Sequence, residues 1–156
     1  MKKFPAKFGT VMVFGTFDVI HAGHIYFLRE AKKLGSELVV SVARDLNVQK
    51  IKGEKTWRSE KRRAEDLRAL GIAEKVVLGG VKNHLPHIKK VAPDIIALGH
   101  DQKHYVKNLA KDLKGVGLQT KIVRLKAHKR HIYSSTKIKK ALQKNREYGR
   151  VLHSTS

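Results

Sequence analysis

Residues 15–24 read GTFDVIHAGH, which places His21 and His24 three positions apart around Gly23, directly after the apolar run TVMVFG. Strand, glycine turn and helix in that order is the layout in which backbone N–H groups and the positive end of the helix face an anion. Gly15, Thr16 and Phe17 would leave the strand, and His21 to His24 would open the helix. Glycine at 23 leaves room for a phosphate to approach the backbone, while imidazoles at 21 and 24 can reach the same oxygens from the first turn. The chemistry this suits is the clamping of a phosphorylated ligand. Two other readings stand beside it. One is a metal pair, although H-x-x-H supplies two ligands and the chain has no cysteine to complete a set. The other is two histidines that only cap the helix or lie on its surface.

The elements that must position this turn can be read from the apolar pattern. Short, nearly continuous runs recur at 10–15 (TVMVFG), 37–43 (ELVVSVA), 75–80 (KVVLGG), 94–99 (DIIALG) and 120–125 (TKIVRL), as strands buried on both faces do. Between the first two, Ile25, Leu28 and Ala31 fall at helical spacing, with Gly35 placed to cap the helix. At 59–71 Ser59 is an N-cap, Ala64, Leu67 and Leu70 form the apolar stripe, and Gly71 stops the helix. LPHIKKVA and YVKNLAKDLKG continue the alternation, and SSTKIKKALQK supplies a last helix. The pattern predicts an α/β fold, a Rossmann-like, doubly wound, parallel five-stranded sheet. Residues 44–58, with Gly53 at their centre and no firm period, read as a mobile loop beside a site. A single domain is expected over residues 1–156, with its core at about 10–142 and a frayed tail.

Composition narrows the classes. The net charge of +21 attracts polyanions, which makes nucleotides, nucleic acids and acidic surfaces candidate ligands. The basic residues are spread along the whole chain with few aromatics among them, which disfavours a nucleic-acid platform. With no cysteine there is no disulfide framework, and no segment is long and apolar enough for a membrane span, so a soluble cytoplasmic protein is expected.

GTFDVIHAGH resembles the signature of the HxGH nucleotidyltransferases, the superfamily of cytidylyltransferases and adenylyltransferases. A second element, YSSTKIKK (133–140), resembles the sequence that opens the last helix in that superfamily, and it stands about 110 residues downstream in the expected order. VARD with KIKG, EKRRAEDLRAL, LGGVKN, PDIIALGHDQ and KIVRLKAHKRHIYSSTKI are similar to the archaeal FAD synthases. The chain is also similar to the glycerol-3-phosphate cytidylyltransferases. Those usually carry an acidic pair after the glycine of the fourth strand, whereas this chain has His100 before Asp101 and Gln102, which favours adenine over cytosine.

What the resemblance implies is attack by a substrate phosphate on the α-phosphorus of a nucleoside triphosphate, with release of pyrophosphate. The nucleophile is already an anion, so alignment and charge stabilisation carry the reaction and no general base is needed. By the same resemblance His21 and His24 hold the α- and β-phosphate oxygens. Lys50 and Lys52 neutralise phosphate charge from the segment after VARD, and Arg62 matches an arginine at the start of the following helix. Ser134, Ser135, Thr136 and Lys137 lie at the β- and γ-phosphates, and Tyr133 is counted among the nucleotide-binding residues. Gly15, Thr16, Phe17 and Gly23 border the nucleotide, and Gly99 and Asp101 border the base and ribose, with His100 beside them. Asp18 either orients the turn through local hydrogen bonds or helps to hold Mg²⁺, which is expected to arrive with ATP. The substrates implied are ATP and FMN, the flavin ring seeking an aromatic surface for which Trp57, Tyr105 and Tyr133 are available. CTP with a phosphorylated alcohol is the alternative, and a nucleotide- or nucleic-acid-binding module without chemistry is the alternative of another class. Relatives of this kind are often dimers.

Overall fold

A computed structural model of the chain describes residues 9–103 and 108–126 together with Lys140 and Gln143, both helical. Five strands, β1 (Thr10–Gly15), β2 (Glu37–Val42), β3 (Lys75–Leu78), β4 (Ile95–Leu98) and β5 (Lys121–Arg124), form one sheet in the order β3-β2-β1-β4-β5. Every pairing is parallel, and β1 runs in register with β2 from Thr10 opposite Glu37 to Gly15 opposite Val42. The strand order reverses at β1, and in open sheets of this kind ligands bind outside the carboxyl ends of the strands at that switch point. GTFDVIHAGH starts there.

Helices cover both faces. Helix α1 (Ala22–Lys32) contributes Leu28 and Ala31, and α3 (Glu60–Ala69) contributes Ala64 and Leu67, to a core with Val11, Val13, Leu38, Val40, Ile95 and Ala97. On the other face α4 (Leu85–Val91) and α5 (Leu109–Gly115) bring Ile88, Leu109 and Leu113 onto Met12, Ile96 and Leu98. Successive side chains of β1 and β4 thus enter opposite cores, as the period of two in a strand requires. This is the doubly wound parallel α/β sheet that the alternation of the sequence implied, with strand ends trimmed by one or two residues.

Two local expectations are corrected. Gly35 does not cap α1: the helix closes at Lys33 in the right-handed region, its N–H reaching the carbonyls of Arg29 and Ala31. Residues 44–58 are not one loop, because Asp45–Lys52 forms an eight-residue helix, α2, that ends on Gly53 at φ +71. Its period was hard to see because Val48 is its one buried side chain, while Leu46 and Ile51 lie exposed. Ser59 caps α3 as expected, accepting from the Arg62 N–H, and Gly71 takes φ +68 after that helix. The last helix lies outside the described residues except at Lys140 and Gln143. Among the described residues no helix is long and apolar enough to cross a membrane.

Candidate active site

The histidine pair is built by the helix start itself. His21 is the N-cap of α1, with extended backbone at φ −139 and ψ 176. Its Nδ1 accepts the Gly23 N–H at 3.1 Å, and the His24 Nδ1 accepts the His21 N–H at 3.3 Å. Two imidazoles thus perform the reciprocal capping that a Ser and a Glu usually provide. With each Nδ1 receiving a backbone proton, the ring proton of the neutral tautomer sits on Nε2, a hydrogen-bond donor suited to phosphate oxygen. The rings stack with centroids 3.8 Å apart, inclined by 30°.

Burial disfavours the charged form of both rings. Burial pushes His21 below its ordinary value, and it pushes His24 further, to about 3, with the neighbouring His21 and then Lys52 acting in the same direction. Asp101 and the Val19 carbonyl oppose that shift without overcoming it. Lys52 at the end of α2 and Asp101 in the loop after β4 thus act on one imidazole through their charge. Lys50 and Lys52 come from the segment the sequence marked, and both lie exposed on the last turn of α2.

Phe17 supports the pair from below. It is a buried, non-glycine residue at φ +51, a conformation that costs of order 1–3 kcal/mol and persists only where its surroundings enforce it. The left-handed turn folds its ring back over the end of β1 and against His24, edge to face with centroids 5.3 Å apart. Glycine at 15 follows from this packing, because a Cβ there would lie 2.5 Å from the Phe17 ring.

The remaining site residues separate into those the structure gathers and those it does not. Asp18 is buried, and its two carboxylate oxygens accept from the Trp57 and Arg58 N–H groups at 2.8 and 2.9 Å. Its reach is thus to a segment some forty residues away, not only to its own turn. The Thr16 carbonyl accepts from Arg63 at 2.8 Å. Gly99 and Asp101 sit together after β4, where a Cβ on Gly99 would meet the Asp101 carboxylate at 3.4 Å. His100 is half-buried beside them, and its Nε2 is buried with no hydrogen-bond partner among the described residues. Arg62 lies on α3, with its side chain 61% exposed and paired to Asp66 at 3.3 Å. Tyr133, Ser134, Ser135, Thr136 and Lys137, with His104, Tyr105, His128 and His131, lie outside the described residues. Among the described residues no group of three or more His, Asp or Glu side chains gathers to hold a metal ion.

Three residues that the sequence reading passed over organise the site. Arg63 is fully buried, and its guanidinium donates to the carbonyls of Thr16 and Arg58 and to Asp45. Its signal was present, since position 63 falls on the apolar stripe with Leu67 and Leu70. Gln102 joins the two central strands, its side chain accepting from the Gly99 N–H and donating to the Phe14 carbonyl, both at 2.8 Å. Arg124 of β5 donates through one nitrogen to the carbonyls of Gly99, His100 and Gln102. Nothing in local sequence ties either residue to its partners.

A stacked pair of imidazoles at a helix N-terminus, on the switch point of a parallel sheet, is an arrangement suited to phosphate oxygens, in keeping with the resemblance to the HxGH nucleotidyltransferases. Comparison with known proteins agrees. The chain belongs to the cytidylyltransferase-like family, whose sequence model matches residues 12–141. It is 46% identical over 115 residues to the FAD synthase of Methanosarcina barkeri, covering 74% of this chain and 81% of that one. It is 46% identical over 133 residues to the FAD synthase of Archaeoglobus profundus, covering 85% and 84%. Among solved structures it is similar to the lipopolysaccharide core biosynthesis protein of Thermoplasma volcanium, with a TM-score of 0.72 and 38% identity over 77% of this chain and 98% of that chain.

Proposed function

We infer that the chain is an FMN adenylyltransferase, which transfers AMP from ATP to the phosphate of FMN and yields FAD and pyrophosphate. The observation that carries the phosphate chemistry is the backbone-locked, stacked His21–His24 pair. The choice of ATP and FMN rests on the FAD synthases to which most of the chain is similar.

In this reading an FMN phosphate oxygen attacks the α-phosphorus of ATP, the bond to the α–β bridging oxygen breaks, and pyrophosphate departs. The attacking group is already an anion, so catalysis rests on alignment and on donors aimed at developing charge. The Nε2–H groups of His21 and His24 bind the α- and β-phosphate oxygens, and Lys50 and Lys52 offset their charge. Gly15, Thr16 and Phe17 set the floor of the site, Gly23 admits the phosphates to the helix N-terminus, and Gly99 and Asp101 border the base and ribose. Ser134, Ser135, Thr136 and Lys137 are assigned to the β- and γ-phosphates by motif. Asp18 serves to fix the loop, since both its oxygens already accept backbone N–H groups. Mg²⁺ carried by the triphosphate would neutralise phosphate charge, and the exposed Asp101 carboxylate would be available to the cation's waters.

The test is pyrophosphate release with ATP or CTP paired with FMN or glycerol 3-phosphate, in the wild type and in His21→Ala. Turnover with ATP and FMN, reduced on the order of 100- to 1,000-fold in the variant, is the expected result. Turnover with CTP and glycerol 3-phosphate instead would move the chain to the cytidylyltransferase activity.

A further inference from the structure

A second pair of histidines stands at the carboxyl end of the sheet and takes no part in the phosphate chemistry. His84 precedes helix α4 and His87 lies in its first turn. The His87 Nε2 is 2.9 Å from the Ser41 hydroxyl, and the His84 ring meets Phe14 edge to face with centroids 6.0 Å apart. Phe14 and Ser41 are opposite each other in the register of β1 and β2, so the two imidazoles rest on the ends of neighbouring strands. His87 makes no other hydrogen bond to the described residues, which leaves its Nδ1 for a ligand. The segment that carries the pair is braced. Gly79 donates to the Val42 carbonyl at 2.8 Å and accepts from Arg44 at 2.8 Å, Gly80 accepts from Asn47 at 2.8 Å, and the Asn83 side chain accepts the Leu85 N–H at 3.0 Å. Side chains on a backbone held in this way can receive a ligand without first being ordered.

This pair lies across the end of β1 from His21 and His24. Phe17, against which His24 packs, belongs to the core under α1 and α3, whereas Phe14 packs into the core under α4 and α5. Consecutive strand residues point to opposite faces, and a Cβ on Gly15 would indeed meet the Phe17 ring. A ligand lying over the end of β1 therefore has one histidine pair on each side. In the sheet β4 flanks β1 on one edge and β2 on the other. With the nucleoside at Gly99 and Asp101, after β4, the acceptor is left the β2 side, where Ser41, His84 and His87 stand. The FMN phosphate must meet the α-phosphorus at His21 and His24, so the part of FMN that extends to the second pair is its polyhydroxylated ribityl chain and flavin ring. Phe14 is half-buried although Met12, two residues earlier on the same face, is fully buried, so its ring is open at the sheet end for apolar contact. Burial disfavours the charged form of both imidazoles, and a neutral imidazole offers one donor and one acceptor, as a hydroxyl does.

We propose that His84 and His87, with Phe14 and Ser41, form the acceptor side of the site and bind the ribityl hydroxyls and adjoining ring of FMN. The proposal rests on the reading of FMN as the acceptor, and its test separates the two. His84→Ala, His87→Ala, His87→Gln and Ser41→Ala are compared with the wild type by KM for FMN and for ATP and by melting temperature. Inhibition by riboflavin, which has the chain and ring without the phosphate, is measured in each, and NMR follows the His84 and His87 ring signals of the wild type as riboflavin is added. Each histidine-to-alanine variant should raise KM for FMN about tenfold, the worth of one hydrogen bond, with KM for ATP within about twofold. Riboflavin inhibition should weaken in parallel. His87→Gln should recover part of the loss, because an amide still donates and accepts. Ser41→Ala should give a smaller rise of the same kind, because the imidazole is present but no longer held. These two milder variants keep the test where truncation lowers the melting temperature. An equal rise in KM for ATP, or an unchanged KM for FMN in folded variants, overturns the proposal. If the wild type is silent with ATP and FMN, the adenylyltransferase reading fails. The riboflavin titration then decides the flavin site by itself, shifted His84 and His87 signals sustaining it and unmoved signals overturning it.

Discussion

Gly15→Ala tests the link from packing to chemistry with a single methyl group. The added Cβ would stand 2.5 Å from Phe17 Cε2 and 2.7 Å from Cζ, where an ordinary contact needs 3.4 Å or more. The ring must therefore move by about 1 Å, and it cannot move outward freely, because Phe17 is buried among Val13, Leu28 and Val40 and its backbone is held at φ +51. The displacement passes to His24, whose ring meets Phe17 edge to face at a centroid distance of 5.3 Å. Overpacking of this kind costs about 1–3 kcal/mol of stability, and a shift of about 1 Å at a reacting phosphate can cost roughly 100-fold in turnover. Thermal denaturation and the rate of pyrophosphate release from ATP with FMN measure the two effects. A Gly15→Ala protein that melts within a degree or two of the wild type and retains its turnover within twofold would refute the reasoning, because the ring would then be free to yield.

Two further outcomes follow from charge. Because the His24 pKa in the folded chain, about 3, lies below the ordinary value of 6.5, the unfolded chain takes up this proton first as pH falls. The stability associated with a neutral His24 is fully present above about pH 6.5 and is lost on acidification toward 3, at up to about 1.4 kcal/mol per pH unit, or about 2 kcal/mol by pH 5. The fall in melting temperature between pH 7.5 and pH 5 should therefore be smaller in His24→Asn than in the wild type, with a residual slope from His21, His84 and His87, which are shifted in the same direction. For the two adjacent arginines, Arg62→Ala should cost less than about 1 kcal/mol, as befits an exposed pair with Asp66. Arg63→Ala removes a fully buried cation and strands Asp45 and two carbonyls, at about 3–5 kcal/mol. Equal melting temperatures for the two variants would contradict that assignment.

The sheet was legible because its strands are buried on both faces and so read as unbroken apolar runs, and the turn after β1 because glycine, histidine and helix start coincide in ten residues. Helix α2 was not legible, since a helix held at its start by hydrogen bonds between Asp45 and Glu60 and by Arg63 needs no apolar stripe and leaves no period to find. The histidines were marked as phosphate ligands by the resemblance, where spacing left a metal pair and simple caps open beside a phosphate clamp. Their tautomer was not, because it depends on which nitrogen accepts the N–H groups of His21 and Gly23, a matter of backbone geometry. Arg62 and Arg63 show the same limit from the other side. The motif pointed to the first, but burial on the stripe with Leu67 distinguishes the second, and a charged side chain at a core position is visible only once the stripe is taken seriously. Gln102 and Arg124 act through carbonyls and amides brought together by the strand order, which no local pattern encodes.

The most direct test of the central claim is the product itself. The enzyme is incubated with Mg²⁺, FMN and ATP labelled in the α-phosphate, and the flavins are separated by chromatography. The account requires the label to appear in FAD with one pyrophosphate released per FAD, and both to fall on the order of 100-fold or more in His24→Asn. Label that never enters the flavin, or FAD formation at the wild-type rate without the His24 imidazole, would contradict it.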